Sequence, residues 1–230
     1  MSRCVHPLEV EGTTMLRIVL GIVLLVLAFP GLASGQDFSL NTRLLVAGRG
    51  GDQAGVRQAI ADGAAVNARN RVGETVLLIA LKNDRPAMAL QMIAAGTDVN
   101  LAAVNGVTPL MAAAHGGYVE VVQALLAKGA DVAAVDQLKK NAMTYAAGQG
   151  HTDVVVLLLQ AGVDANAVYA HDLTALMWAA GYGRTDTVKR LLAAGAKPGL
   201  KDDRGKTALD IARDGDYAET VKVLENSGGS

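Results

Sequence analysis

The chain is poor in cysteine and in aromatic residues. Its 230 residues include a single cysteine, Cys4, and Phe, Trp and Tyr together make up only 3%. Because Cys4 lies near the N-terminus, the rest of the chain has no disulfide, no thiol nucleophile and no thiolate metal ligand. Apolar residues nevertheless make up 51% of the chain, mainly as Ala, Val and Leu. This combination favours a stack of thin repeats over one large globular core.

An excess of charge of either sign is also missing. The 21 Lys and Arg residues nearly balance the 22 Asp and Glu residues, and no basic run or stripe is visible. We therefore expect neither nucleic acid nor an anionic membrane surface as the main partner. The sequence also lacks a Gly-x-Ser-x-Gly motif and any nucleotide-binding glycine motif. We expect no cofactor and no catalysis; an enzyme or ligand-binding protein is the alternative, which turnover by the purified chain would favour.

Residues 1–35 have the composition of a secretory signal peptide. Arg17 precedes a twelve-residue apolar run, residues 18–29, and small residues follow at 33–35. Two glutamates dilute the positive charge of the segment before Met15, which favours Met15 as the true start of translation. We expect cleavage after Gly35, with cleavage after Ala33 as the alternative.

This leader predicts a periplasmic or secreted protein that has no membrane attachment after cleavage. An uncleaved membrane anchor is a second interpretation, but the apolar run is shorter than the roughly 20 residues that a spanning helix needs. A cytosolic protein with a wrongly assigned start is a third.

The rest of the chain repeats with a period of 33 residues. Three columns keep their residue type without an insertion. The Thr column is Thr42, Thr75, Thr108, Asn141, Thr174 and Thr207; the Ala column is Ala47, Ala80, Ala113, Ala146, Ala179 and Ala212; the Gly column is Gly63, Gly96, Gly129, Gly162, Gly195 and Gly228. Such agreement predicts one structural unit repeated six times.

The third repeat shows what each column does. Thr108 is suited to cap a helix by accepting a free backbone N–H, and Pro109 fits the first helical position. A second short helix, beginning near Glu120, presents an apolar stripe and ends at Gly129, which we expect in the left-handed conformation. Helices of about two turns are unstable alone. Each pair must therefore bury its faces against the next pair.

The pattern Thr-Pro-Leu-x-x-Ala-Ala, followed by Gly-x-x-x-x-Val-x-x-Leu-Leu and Gly-Ala-Asp-Val, resembles the ankyrin repeat. The resemblance implies an all-α solenoid of six helix-turn-helix repeats joined by β-hairpin loops. It covers residues 36–226, and residues 227–230 are predicted to form a flexible tail. The repeats are 37–69, 70–102, 103–135, 136–168, 169–201 and 202–226, of which the first and last should cap the stack.

Two departures from the family pattern carry expectations. The family His after Thr-Pro-Leu is replaced in every repeat, for example by Met111, so apolar contacts are expected to tie neighbouring repeats together. Lys139 and Asp172 stand where other hairpins have glycine. Because a glycine with positive φ is missing there, the hairpins of repeats four and five should differ from the rest.

Polar residues offer little sign of chemistry. His115, His151 and His171 have no second His or Cys at metal-ligand spacing, and His151 is expected to be structural. Asp98, Asp131 and Asp164 recur every 33 residues, which indicates a backbone-satisfying role in turns rather than a catalytic row. An acid–base pair of His171 with Asp172 is disfavoured because neighbours in a turn seldom point together.

The resemblance implies that a partner binds on hairpin tips and on the ends of the first helices. The candidate residues at matching positions are Val104, Asn105, Val107, His115, Leu138, Lys140, Tyr145, Gln149, His171, Leu173, Trp178 and Tyr182. Tyr145 and Trp178 are 33 residues apart and are expected to stack. They either fill space, as Ile79 and Ile211 do in the same column, or form an aromatic anchor in an apolar patch.

We therefore expect a monomeric, non-catalytic protein that binds another protein on its concave face. Alternatives are a protective or inhibitory subunit of an exported enzyme and an effector delivered to a host cell. His115 has a plain alternative as a solvent-exposed residue without a partner.

Overall fold

The computed structural model describes residues 36–228, which form twelve α-helices arranged as six consecutive pairs. The predicted signal peptide and residues 229–230 lie outside this range. The helices are α1 (Gln36–Gly50), α2 (Gln53–Ala61), α3 (Val76–Lys82), α4 (Pro86–Ala94), α5 (Pro109–Gly116), α6 (Val119–Ala127), α7 (Ala142–Gln149), α8 (Thr152–Gln160), α9 (Ala175–Gly181), α10 (Thr185–Ala193), α11 (Ala208–Asp214) and α12 (Ala218–Ser227). The all-α solenoid with six repeats is confirmed.

The predicted capping residues begin the first helix of repeats two to six. Each has extended backbone, and its side chain accepts the backbone N–H of the residue three positions later, at 3.0–3.4 Å. These residues are Thr75, Thr108, Asn141, Thr174 and Thr207. The glycine column ends the second helices with φ between 79° and 103° from Gly63 to Gly195. A side chain is strained in that conformation, which explains the glycines.

The first repeat departs from the prediction. Helix α1 begins at Gln36, so Thr42 lies inside the helix and does not cap it. Residues 36–41 contain neither glycine nor proline. Nothing in the local sequence therefore ends the helix before Thr42, and no earlier repeat requires a hairpin there.

The core is a column of side chains that runs through the stack. Five first-helix residues at the 33-residue spacing, Leu44, Leu77, Leu110, Met143 and Leu176, are at most 1% exposed. The equivalent Leu209 of the last repeat is only partly buried. Burying one such side chain contributes about 1.5–3 kcal/mol. Each interior repeat therefore depends on both neighbours, and the chain ends where the column reaches solvent.

Polar bonds also join neighbouring repeats, contrary to the expectation of apolar contacts alone. The residues before the second helices reach back to carbonyl groups that end the preceding first helix. Arg85 Nη1 donates to the oxygen of Arg49 at 2.7 Å, His151 Nε2 lies 2.9 Å from the oxygen of His115, and Arg184 Nε donates to that of Gly148 at 3.1 Å. This confirms a structural role for His151. Free carbonyls at a helix end need such donors.

The hairpin loops connect the repeats, although the described residues contain no β-strand, only an isolated bridge between Val168 and Thr174. The expectation for repeat four was wrong. Lys139 adopts φ 58° and donates its N–H to the oxygen of Asp136 at 3.0 Å, as Gly106 does to that of Ala103. The turn is retained with a non-glycine residue in the left-handed region.

The hairpin of repeat five does differ. Residues Ala170–Asp172 form a short 3-10 turn in which His171 and Asp172 both have positive φ. Two consecutive left-handed residues replace the single one of the other hairpins. Because this conformation costs a side chain about 1–2 kcal/mol per residue, the loop is held by its surroundings.

The repeated aspartates have the predicted turn role. Oδ1 of Asp98, Asp131 and Asp164 accepts the backbone N–H two residues later at 2.8–2.9 Å. At the end of the stack, Glu225 is exposed and pairs with Arg213 at 2.7 Å. Helix α12 includes Ser227, so the order extends one residue into the predicted tail.

Candidate protein-binding surface

The hairpin tips and the first helices form one face of the solenoid. Val104 and Leu138 are 68% and 65% exposed at adjacent tips, and Asn105 is also exposed. Each tip is joined to the next by a backbone bond: Val104 N–H donates to Val72 O at 3.0 Å, and Gln137 N–H to Asn105 O at 3.1 Å. The tips are therefore held at fixed positions, and they present apolar side chains to solvent.

A groove of about 370 Å³, here called the central groove, lies between the tips and helices α3, α5 and α7. Its apolar lining includes Leu81, Val107, Met111, Ala112, Tyr118 and Tyr145. Its polar lining consists of Lys82, Asp84, Asn105 and His115.

Ala112 explains why the central groove exists. It occupies the column that holds Val46, Ile79, Tyr145, Trp178 and Ile211 in the other repeats. The methyl group leaves open the volume that a large side chain fills elsewhere. This gap was readable from the sequence, yet the sequence-based prediction of the surface did not include Ala112 or Tyr118.

The aromatic–lysine cluster, comprising Lys140, Tyr145, Trp178 and Tyr182, lies beside the central groove. The predicted stack of Tyr145 on Trp178 is wrong: Trp178 stacks instead on Tyr182, with ring centroids 6.1 Å apart and planes at 10°. The ammonium of Lys140 lies 4.5 Å from the Trp178 centroid and 5.8 Å from that of Tyr145. Cation–π attraction holds the lysine over both rings. The indole N–H is buried and has no acceptor among the described residues.

Tyr145 is fixed by its hydroxyl group. This group donates to Oδ2 of Asp136 at 2.6 Å, and Asp136 is only 5% exposed. Burial raises the pKa of Tyr145 well above its usual value, and the bond to the Asp136 carboxylate raises it further. The ring is partly buried against the core. Tyr145 thus fills space, as Ile79 does, while also lining the central groove.

His115 and Gln149 continue the same face. The His115 ring meets that of Tyr145 edge-on, with centroids 5.6 Å apart, and its Nδ1 lies 3.4 Å from Nε2 of Gln149. Neither residue is buried. Together they present hydrogen-bonding groups at the edge of the central groove.

His171 and Leu173 lie at the fifth hairpin, towards the C-terminal end of the stack. His171 does not pair with Asp172: its Nδ1 contacts Oδ2 of Asp203 in the next hairpin at 2.8 Å. Leu173 packs partly against the core. We found no contact between these two residues and the aromatic–lysine cluster within residues 36–228, so the structure separates them from the other candidates.

The chemistry of this face is that of recognition. Among the described residues, no group of His, Cys, Asp or Glu is arranged to hold a metal ion. No helix within residues 36–228 has the length and apolar character to cross a membrane. The groups available are exposed apolar side chains, stacked aromatic rings, one lysine and a few neutral donors and acceptors.

Helix pairs stacked in register, with a continuous apolar core and a ridge of linked hairpin tips, define an α-solenoid repeat protein. The ankyrin-repeat family, in the form of three consecutive copies, matches residues 44–136, 77–169 and 143–229. The chain belongs to the ankyrin-repeat family.

Solved structures agree with this assignment. The chain is similar to the ankyrin repeat protein EF0377, with 33% sequence identity and a TM-score of 0.72 over 80% of this chain and 96% of that one. No match was found among curated proteins. Ankyrin repeats generally mediate protein–protein interaction and are typically not catalytic.

Proposed function

We propose that this protein binds another protein through the central groove and the adjoining aromatic–lysine cluster. The observation that supports this most strongly is the open apolar volume at Ala112, bounded by Tyr145 and Tyr118 and linked to the exposed tips at Val104 and Leu138. Apolar surface with a polar rim is typical of interaction sites. A partner would insert an apolar side chain beside Ala112, while Trp178 and Tyr182 supply rigid contact area.

Filling the central groove tests this proposal. Ala112→Phe places a ring where the neighbouring repeats already accommodate Tyr145 and Trp178, so the fold should be retained. Partners captured by the wild-type protein from the envelope fraction of its own cells are measured against both forms. We expect binding to weaken at least about tenfold, since an anchor that loses its pocket costs about 2 kcal/mol or more.

The matched control is Ala127→Phe, which adds the same ring at an exposed position at the end of α6. It should bind as the wild type does. Tyr182→Ala should also weaken binding, because Tyr182 is 51% exposed and stacks on Trp178. Equal affinity of the partner for wild type, Ala112→Phe and Tyr182→Ala would refute the proposal.

We further propose that the protein is exported and acts as a monomer in the periplasm or outside the cell. Residues 18–29 supply the apolar run of a signal peptide. A reporter enzyme that is active only outside the cytoplasm, fused after Ser230, should be active. Inserting two arginines into the apolar run should abolish that activity, and an active reporter in the altered form would contradict export.

A further inference from the structure

A second concavity, here called the N-terminal groove, lies at the first end of the same face. It measures about 560 Å³ and lies between helix α1 and the hairpin tip of repeat two. Its walls include Leu45, Val46, Val72 and three arginines, Arg49, Arg69 and Arg71. The committed set of candidate residues contains none of these.

The charge of the N-terminal groove is of one sign. Its lining includes no carboxylate. Arg69 donates to the carbonyl oxygens of Gly73 and Ala102, which orient its guanidinium without neutralising it. Among the described residues, neither Arg49 nor Arg71 lies in an ion pair within 4 Å.

Nearby carboxylates are engaged elsewhere. Asp62 pairs with Arg43 at 3.5 Å, and Glu74 pairs with Lys82. Although burial alone would raise the pKa of Glu74, its bonds to Lys82 and Asn70 outweigh burial and lower it, and Arg49 adds a smaller attraction. Glu74 is therefore a charged group already bound to its own cation. The three guanidinium groups remain available to an incoming anion.

Apolar side chains lie among these cations. Val46 is 64% exposed and Val72 is 54% exposed. A polyanion such as nucleic acid is bound by many distributed phosphate contacts, and exposed valines add nothing to them. A polypeptide segment in which carboxylates alternate with aliphatic residues complements both features, since guanidinium groups bind carboxylates through paired hydrogen bonds.

We propose that the N-terminal groove binds an acidic, aliphatic segment of the partner polypeptide. This inference rests on the proposed function, since the segment belongs to the same partner whose side chain enters the central groove. Carboxylates of the segment pair with Arg49 and Arg71, and its aliphatic side chains pack on Val46 and Val72. The two grooves then select different parts of one partner: an apolar anchor and an acidic flank.

The test uses two labelled peptides of alternating residues, Glu with Leu and Gln with Leu, titrated with the purified protein while fluorescence anisotropy is recorded. The Glu peptide should bind at least tenfold more tightly, and its affinity should fall as salt is raised. Arg49→Glu with Arg71→Glu should remove that preference, and Arg49→Gln with Arg71→Gln should reduce it. Arg57→Glu reverses an exposed charge on α2, outside the groove, and should change nothing.

Three results would overturn the inference. Equal affinity for the Glu and Gln peptides would show that charge is not recognised, and unchanged affinity in the double reversals would place binding elsewhere. A single-stranded oligonucleotide that displaces the Glu peptide at equal charge concentration would indicate a general polyanion site. Unfolding midpoints of all variants should match that of the wild type.

The Ala112→Phe variant separates this inference from the proposed function. It should keep its affinity for the Glu peptide while losing the natural partner. Loss of the peptide preference with the central groove intact would refute only the acidic-segment inference. An intact peptide preference with no effect of Ala112→Phe on the natural partner would refute only the central groove.

Discussion

Removing one hydroxyl group, in Tyr145→Phe, should destabilise the protein by about 2 kcal/mol. The Tyr145 hydroxyl donates to Oδ2 of Asp136 at 2.6 Å, and Oδ1 of the same carboxylate accepts the backbone N–H of Leu138 and of Lys140 at 2.8 and 2.9 Å. A hydrogen bond to a charged group contributes roughly 1.5–3 kcal/mol. The substitution keeps the ring and its packing, so the loss is confined to the carboxylate that organises the fourth hairpin.

Equilibrium unfolding in guanidinium chloride measures this effect. The control is Tyr217→Phe, because the Tyr217 hydroxyl makes no hydrogen bond within the described residues while its ring packs near Gly183 and Gly215; it should cost less than about 0.5 kcal/mol. Equal destabilisation by the two substitutions would refute the assigned role of the Tyr145–Asp136 bond. A Tyr145→Phe protein as stable as the wild type would do so as well.

The remaining predictions concern hairpin four, a phenol at an inter-repeat contact and a polar tie. Lys139→Gly should stabilise the fold by roughly 0.5–1 kcal/mol in the same unfolding assay, because the cost of a left-handed side chain exceeds the added backbone entropy; a loss of stability would contradict this. Burial and the bond to Asp84 raise the pKa of Tyr118 to about 12, so its neutral form stabilises the fold below pH 10, the unfolded value, and this contribution is lost as the pH rises towards 12. Unfolding midpoints measured across that window should fall less steeply for Tyr118→Phe, and parallel curves would exclude the assignment. Arg184→Met keeps an apolar stem but removes the donor to Gly148, and should cost about 1.5–3 kcal/mol; a midpoint shift near zero would mean that the tie contributes nothing.

Much of the fold was predictable because the physical requirements repeat with the sequence. A helix start needs an acceptor such as Thr75 or Asn141, and a left-handed helix end favours a glycine such as Gly129. These requirements are local, so a column of identical residues reveals them. Thr42 shows the limit of that reasoning, because the same residue lies inside a longer helix where no hairpin precedes it.

Lys139 illustrates the opposite limit. The sequence indicated that a turn without glycine should change its conformation, yet Lys139 adopts φ 58°. Its turn is fixed from outside: Asp136 accepts two backbone N–H groups of the loop, and the Gln137 N–H bonds to the preceding hairpin at Asn105. Tertiary contacts outweigh a local preference of about 1–2 kcal/mol.

The candidate surface was less predictable than the fold. Register alone placed Tyr145, Trp178 and Tyr182 on one face, but it could not show which rings would stack or that Lys140 would lie over two of them. Those outcomes depend on rotamers. The central groove also depends on an omission, the small side chain of Ala112, and a search for reactive or large residues passes over it.

The most direct test of the account uses the single tryptophan. Fluorotryptophan incorporated into the chain labels position 178 alone, within the aromatic–lysine cluster. Addition of the captured partner should shift this fluorine NMR resonance, with a titration curve that matches the independently measured affinity. A resonance that stays unchanged while the partner saturates the protein would show that binding occurs away from the concave face, and would contradict the account.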